Sequence, residues 1–152
     1  MAKVIDPREE WFWDEKIVES YESWYEGKGR RADRLEKKAL GLLLERFQPI
    51  ETLIEVGCGT THFTRYFESL GPKCLGYDLS PFMLRVARKL WNGELIRGDS
   101  TRLPFQDESF DLVALLAGVV EGCVRLLGLC EIQLLDRFDG GSGAGGHGRG
   151  EL

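Results

Sequence analysis

Ile54-Glu55-Val56-Gly57-Cys58-Gly59-Thr60 decides how this chain of 152 residues folds. Thr52 to Val56 is a short β-rich run that breaks into two glycines one residue apart, as a buried strand does when it enters a tight turn. Acidic residues follow at Asp78 and Asp99, so Gly57 and the two acids stand at equal intervals of 21 positions. Each interval fits one strand-helix-strand step. The three features then stand side by side at one edge of a parallel sheet.

The residues between them agree. Thr61 to Leu70 reads as a helix closed by Gly71-Pro72, and Lys73 to Tyr77 as a second strand ending at Asp78. Ser80-Pro81 is an N-cap followed by proline in the first turn, with Phe82, Val86 and Leu90 on the buried face of the helix it opens. Glu94 to Arg97 is a third strand ending at Gly98-Asp99, and Phe110 to Leu116 a fourth. Short links between alternating strands and helices mean an α/β fold: a Rossmann-like parallel sheet with right-handed crossovers and helices on both faces.

Upstream, Ile17, Tyr21, Trp24 and Tyr25 fall at helical spacing, either as a packing helix or as a lid whose aromatics close over a ligand. Asp33 with Glu36 reads as a capping box opening a second helix, whose buried stripe is Leu35, Ala39, Leu42, Leu43 and Phe47 and which Gln48-Pro49 ends. Downstream, Val119 to Phe138 is apolar nearly all round and reads as a helix covered on most of its surface. Gly140 to Gly150 then holds seven glycines in eleven positions and cannot pack. The divisions are a helical cap over 1–48, an α/β domain over 49–138 and a disordered glycine-rich tail over 139–152. In this reading the sheet stops at four strands with the fourth as an open edge, an incomplete C-terminal half. The apolar helix and the edge are places where a second copy would bind as a homodimer. A shifted reading frame or a decayed gene past Gly118 would leave the same compositional break.

A net charge of −5 leaves no excess of Lys and Arg to displace the counterions of a nucleic acid, so no nucleic-acid partner is expected. No run reaches the length of a membrane span, and no basic-then-apolar leader opens the chain. Cys58, Cys74, Cys123 and Cys130 form no CxxC pair and have no histidine at ligand spacing, so small buried thiols in a reducing cytoplasm are expected, with no metal site.

In an open parallel sheet ligands bind beyond the carboxyl ends of the strands, where strand order reverses. Glu55, Gly57, Gly59, Asp78 and Asp99 all fall at such ends. Three carboxylates above a glycine turn suit a ligand with a cationic end, a diol and an aminopurine, as in S-adenosylmethionine. Gly57 and Gly59, with Cys58 between them, let the backbone approach the ligand. Glu55 faces its ammonium, and the amides opening the next helix near Thr60 and Thr61 favour its carboxylate. Asp78 accepts the ribose hydroxyls, Asp99 accepts from the adenine amine, and the Ser100 amide donates to a ring nitrogen. Leu79 and Met83 supply apolar faces for the purine. The dinucleotide fingerprint G-x-G-x-x-G would need glycine where His62 stands, so an NAD-linked oxidoreductase is a minor alternative.

The chain resembles the class I S-adenosylmethionine-dependent methyltransferases, in particular the ubiquinone/menaquinone-biosynthesis group. The resemblance rests on Glu55-Val56-Gly57-Cys58-Gly59-Thr60, Gly76-Tyr77-Asp78-Leu79-Ser80-Pro81-Phe82-Met83-Leu84 and Gly98-Asp99-Ser100-Thr101-Arg102-Leu103-Pro104-Phe105 running into Ser109-Phe110-Asp111-Leu112-Val113. It implies methyl transfer from S-adenosylmethionine to a small-molecule acceptor, and an aromatic segment, Tyr21-Glu22-Ser23-Trp24-Tyr25, in which Tyr21 covers the cofactor. The family often has glycine where this chain has Thr61, and the landmarks that place an acceptor after strand four are absent. No catalytic base can be named. A cofactor-binding remnant without turnover, or an interaction module, is the alternative.

Overall fold

The computed structural model describes residues 11–116 and the strand at 131–133. It opens with one 3-10 turn, Trp11–Trp13, and two α-helices, α1 (Glu15–Glu26) and α2 (Arg30–Glu45). The sheet then builds through β1 (Thr52–Val56), α3 (His62–Ser69), β2 (Lys73–Asp78), α4 (Pro81–Leu90), β3 (Glu94–Arg97), β4 (Leu112–Leu115) and β5 (Glu131–Gln133). Strand order is β3-β2-β1-β4-β5. The first four strands are parallel, as the strand-helix alternation predicts, and the order reverses between β1 and β4. Glu55 pairs with Gly76 on one side and Ala114 on the other.

Alternation along β1 sorts the core into two faces. On one, Leu53, Cys74, Leu112 and Ala114 pack against Leu40 and Leu44 of α2, Phe67 of α3 and Trp91 just past α4. On the other, Ile54, Val56, Leu75 and Tyr77 meet Phe105 and Phe110 from the β3–β4 link, whose rings make an edge contact at 5.1 Å. Helices were expected on both faces. Among the described residues they lie on the first, because consecutive right-handed crossovers running the same way across a sheet place α3 and α4 on one side.

Three other expectations change. The apolar stripe of α2 is rotated: Leu40 and Leu44 are buried, while Leu35 is 60% and Leu42 56% exposed. Leucines occur on more than one face of this helix, so periodicity alone could not choose the row that meets the sheet. The helix also begins at Arg30 behind Gly29 with no side-chain cap, because the Asp33 carboxylate is drawn to Lys37 and His62 instead. Finally, part of the segment read as an apolar helix is strand. β5 runs antiparallel to β4, with Ala114 opposite Ile132, so β4 is not an open edge and the sheet has five strands. Backbone pairing satisfies the ladder groups that β4 would otherwise leave unpaired, and a run apolar on all sides serves a buried strand as well as a helix. The rest of 119–138 and the 139–152 tail lie outside the described residues. Among the described residues no helix is long and apolar enough to cross a membrane.

One side chain fastens the near ends of the two strands that flank the reversal. Asp111 Oδ2 accepts from the Glu51 and Thr52 amides at 3.1 and 2.9 Å and from the Thr52 hydroxyl at 3.0 Å. The Asp111 amide donates back to Thr52 Oγ1 at 3.1 Å. Hydrogen bonds to a charged group contribute more than neutral ones, so Asp111→Ala should lower stability by about 2–4 kcal/mol. Urea denaturation checks this, and a loss below about 1 kcal/mol would mean that water replaces the clasp without penalty.

Candidate cofactor-binding site

β1 ends at Val56, and the chain turns back over the carboxyl edge of the sheet. Gly57 (φ +77°) and Gly59 (φ +53°) take backbone angles that side chains disfavour. A Cβ built on Gly57 would meet no heavy atom within 4 Å, so the backbone there borders open space. The turn is stitched to the end of β2 by the Gly57 and Cys58 amides, which donate to the Tyr77 carbonyl at 2.7 and 3.1 Å. Thr61 is left-handed too, at φ +69°, with its side chain fully buried. That angle explains why glycine suits this position. A β-branched residue there costs on the order of 1–2 kcal/mol of backbone strain, which burial and the Thr61 hydroxyl bond to the Thr60 carbonyl offset.

Asp78 lies where β2 ends and joins both neighbouring turns. Its Oδ2 accepts from the Gly59 amide and its Oδ1 from the Ser80 amide, each at 2.8 Å. Burial raises the Asp78 carboxyl above its ordinary value, opposed by bonds from the Ser80, Gly59 and Leu79 amides. Ser80 caps α4 by accepting from the Met83 amide at 3.2 Å. Met83 is buried beside Gly59, whereas Leu79 is 44% exposed at the rim. Asp99 follows β3, one strand further out. It is exposed, its Oδ1 accepts from the Thr101 amide and hydroxyl at 2.8 Å each, and these bonds hold the carboxyl below its usual range. Ser100 is exposed in the same turn.

Glu55 is the anomalous group. It is 2% exposed, accepts from the Thr64 hydroxyl on α3, and is pushed by burial up to about 8, with the Asp78 charge adding to the effect. A carboxyl held this way is neutral near pH 7 unless a cation joins it. Cys58, in the glycine turn, is a buried thiol that burial and the charges of Glu55 and Asp78 push well up, so it is no nucleophile.

The cap lies over this edge. The Phe12 carbonyl accepts from the Ser80 hydroxyl at 2.6 Å, and Glu15 pairs with Arg85 of α4. On the other side Glu22 of α1 accepts from the Thr60 hydroxyl and pairs with Arg65 of α3 at 2.7 Å. Tyr21 shares a hydrogen bond with Tyr25 at 2.9 Å. Burial raises the Tyr21 phenol, and the charges of Glu22, Glu55 and Glu36 add to it.

Glu55, Gly57, Cys58, Gly59, Asp78 and Met83 are thus gathered at the carboxyl edge, with Leu79, Asp99 and Ser100 at the outer rim and Tyr21 on α1 of the cap. Of the helix-opening amides, that of Thr61 already donates to the Cys58 carbonyl at 2.8 Å, while the Thr60 hydroxyl goes to Glu22. Glu22, Asp33, His62 and Arg65 had not been singled out as site residues. Their partners lie 29 to 43 residues away in the chain, so no local signal marks them.

A methyltransferase domain family matches residues 54–125. A demethylmenaquinone methyltransferase of Mycobacterium sp. (strain KMS) is 33% identical over 92 residues, 60% of this chain and 40% of its own length. One from Geobacillus stearothermophilus is 41% identical over 75 residues, 43% of this chain and 32% of its own. The solved structure of a SAM-bound amino pentose methyltransferase from Micromonospora echinaspora superimposes with a TM-score of 0.55 at 30% identity, covering 64% of this chain and 41% of that one. Over this stretch the chain is similar to the class I S-adenosylmethionine-dependent methyltransferases. It spans less than half the length of these curated relatives.

The raised Glu55 makes a sign prediction for this chain. Its carboxyl titrates at about 8 in the fold against an ordinary 4.5, so the fold holds an extra proton between those values. The stability linked to that proton is whole below pH 4.5 and is lost as pH rises through about 8. Glu55→Gln, which keeps the acceptor for Thr64, should match the parent at pH 4.5. Above pH 8 it should exceed it, by on the order of a few kcal/mol. Urea midpoints across pH test this, and parallel profiles would exclude a perturbed Glu55.

Proposed function

We propose that this chain binds S-adenosylmethionine at the β1–β4 reversal and transfers its methyl group to a small-molecule acceptor in the cytoplasm. The observation that carries the reading is Glu55: a buried carboxyl beside an open glycine cradle and a second carboxylate, at the sheet edge where ligands bind in this fold. Such a group fits a ligand that brings its own cation. The methyltransferase activities of the relatives and the SAM-bound neighbour support the same cofactor. The buried free thiols Cys58 and Cys74 suit a reducing compartment.

Bound there, S-adenosylmethionine supplies a methyl already activated by positive sulfur. The work left to the chain is to hold, orient and dry. Glu55 takes the ammonium, and the backbone at Gly57, Cys58 and Gly59 admits the tail. Asp78, whose oxygens keep lone-pair capacity beyond the backbone amides they accept, takes the ribose hydroxyls. Asp99 and the Ser100 amide read the adenine edge, and Leu79 and Met83 face its ring. Tyr21 closes the tail end. Holding acceptor and methyl in line can supply about 7–11 kcal/mol without any base. The proposal includes three units, a cap over 1–48, the α/β domain over 49–138 and the 139–152 tail. It also includes self-association through 119–138, for which the apolar composition of that segment is the support. A monomer in sedimentation equilibrium at micromolar concentration would overturn the last point.

Calorimetry with S-adenosylmethionine, S-adenosylhomocysteine and NAD tests the cofactor: the first two should bind and NAD should not. Consumption of the methyl donor across a panel of small acceptors tests transfer, and binding without consumption would favour a module that holds the cofactor without turnover. Asp78→Ala should weaken S-adenosylhomocysteine by about 1.5–3 kcal/mol, the range for hydrogen bonds to a charged group, and unchanged affinity would remove the ribose assignment. Bringing an ammonium to Glu55 lowers its pKa, so binding near pH 7 should release a proton. Enthalpies measured in buffers of different ionisation heat read that release, and Glu55→Gln should abolish it.

A further inference from the structure

His62 opens α3, and the cap meets it from both of its helices. From α1, Glu22 Oε2 stands 3.7 Å from His62 Nδ1, and the Tyr25 ring stacks on the imidazole at 3.5 Å and 10°. From α2, Asp33 Oδ1 lies 2.5 Å from His62 Nε2, while Lys37 holds the other Asp33 oxygen at 3.0 Å. The same Glu22 carboxylate reaches the Thr60 hydroxyl and the Arg65 guanidinium. One imidazole therefore joins two cap helices to the residue that follows the glycine turn.

We propose that His62 and Glu22 are positioning residues that latch the cap onto the start of α3 and so hold Tyr21 over the tail end of the cofactor site. The inference rests on the cofactor reading above. The chain of contacts is direct: His62 stacks Tyr25, and Tyr25 shares a hydrogen bond with Tyr21 at 2.9 Å. The other charged contact of α1 with the body, Glu15 to Arg85, is about half exposed on both partners, and such pairs hold little. The Glu22 and His62 contacts are better shielded, with side-chain exposures of 23% and 12%. Burial would raise the Glu22 and Asp33 carboxyls, yet both lie below their ordinary values because His62, with Thr60 and Arg65 for one and Lys37 for the other, favours the charged forms. Without the imidazole, among the described residues Glu22 keeps only Thr60 and Arg65 and Asp33 only Lys37, and no other polar side chain joins α1 and α2 to the same point of α3.

The latch predicts which ligand feels its loss. The cofactor reading puts Tyr21 over the amino-acid tail, so a ligand with such a tail should depend on the latch and a nucleoside without one should not. His62→Ala and Glu22→Gln should weaken S-adenosylhomocysteine about tenfold, through faster dissociation, and leave adenosine unchanged. Trypsin should cut several-fold faster after the exposed Lys28 and Arg30 at the α1–α2 turn. Asp33→Asn, which keeps an acceptor for His62 and loses the charge, should show a smaller effect in the same direction. Equal losses for both ligands, or unchanged S-adenosylhomocysteine binding with unchanged proteolysis, would overturn the proposal. If His62→Ala loses its circular dichroism, Glu22→Gln and Asp33→Asn carry the test. If the unaltered chain binds neither ligand, the cofactor reading falls, and the trypsin rates alone then decide the latch.

Discussion

The carboxylate of Asp78 holds together the two turns on which the site is built. Each of its oxygens lies 2.8 Å from a backbone amide, one in the glycine turn after β1 and one at the cap of α4. Without it the Gly59 and Ser80 amides would lose their acceptor, and the turns would lose their common reference point. Because the strands are parallel and adjacent, a single short side chain spans the gap. The remaining parts of the edge are arranged around it: Met83 behind Gly59, Ser80 tied to the Phe12 carbonyl, and Leu79 left at the rim.

Placing a second carboxyl, Glu55, under the same turn has a cost. Burial favours its neutral form, and the nearby Asp78 charge reinforces that preference. A protein interior rarely keeps such a group without a use, since an apolar residue of the same size would pack there at no electrostatic penalty. In the proposed site a cationic ligand would remove the penalty on binding, so that the penalty itself would become selectivity. The strained Thr61 beside it is of the same kind, a local cost kept where the backbone must approach something.

Much of this was legible from residue order. Strand, glycine turn and acid recur at the step of one strand-helix unit, so β1, β2, β3 and the helices between them fall where local chemistry puts them. Ser80-Pro81 behaves as its sequence says, an oxygen cap followed by a ring with no amide to waste. The cap was less legible. Asp33 looked like a helix cap by its spacing to Glu36 and is instead a long-range partner of His62, because an imidazole and the Lys37 ammonium in reach outweigh one more amide of a helix end. Leucines on more than one side of α2 left its buried row undecided until α3 and the sheet met one of them.

Sequence alone therefore determined the parallel core, the edge on which the chemistry-bearing residues stand, and their types, since each depends on neighbours one or two turns away. Tertiary structure alone decided which of those groups are strained, neutral or already engaged. It showed that the Asp78 oxygens are shared with backbone, that Glu55 is sealed beneath α3, and that β5 closes the edge of β4. It also brought Glu22, Asp33, His62 and Arg65 together from three helices. The physical reason is range: caps, turns and strand runs are local choices of the backbone, whereas desolvation and ion pairing depend on what distant segments carry into the same few ångströms.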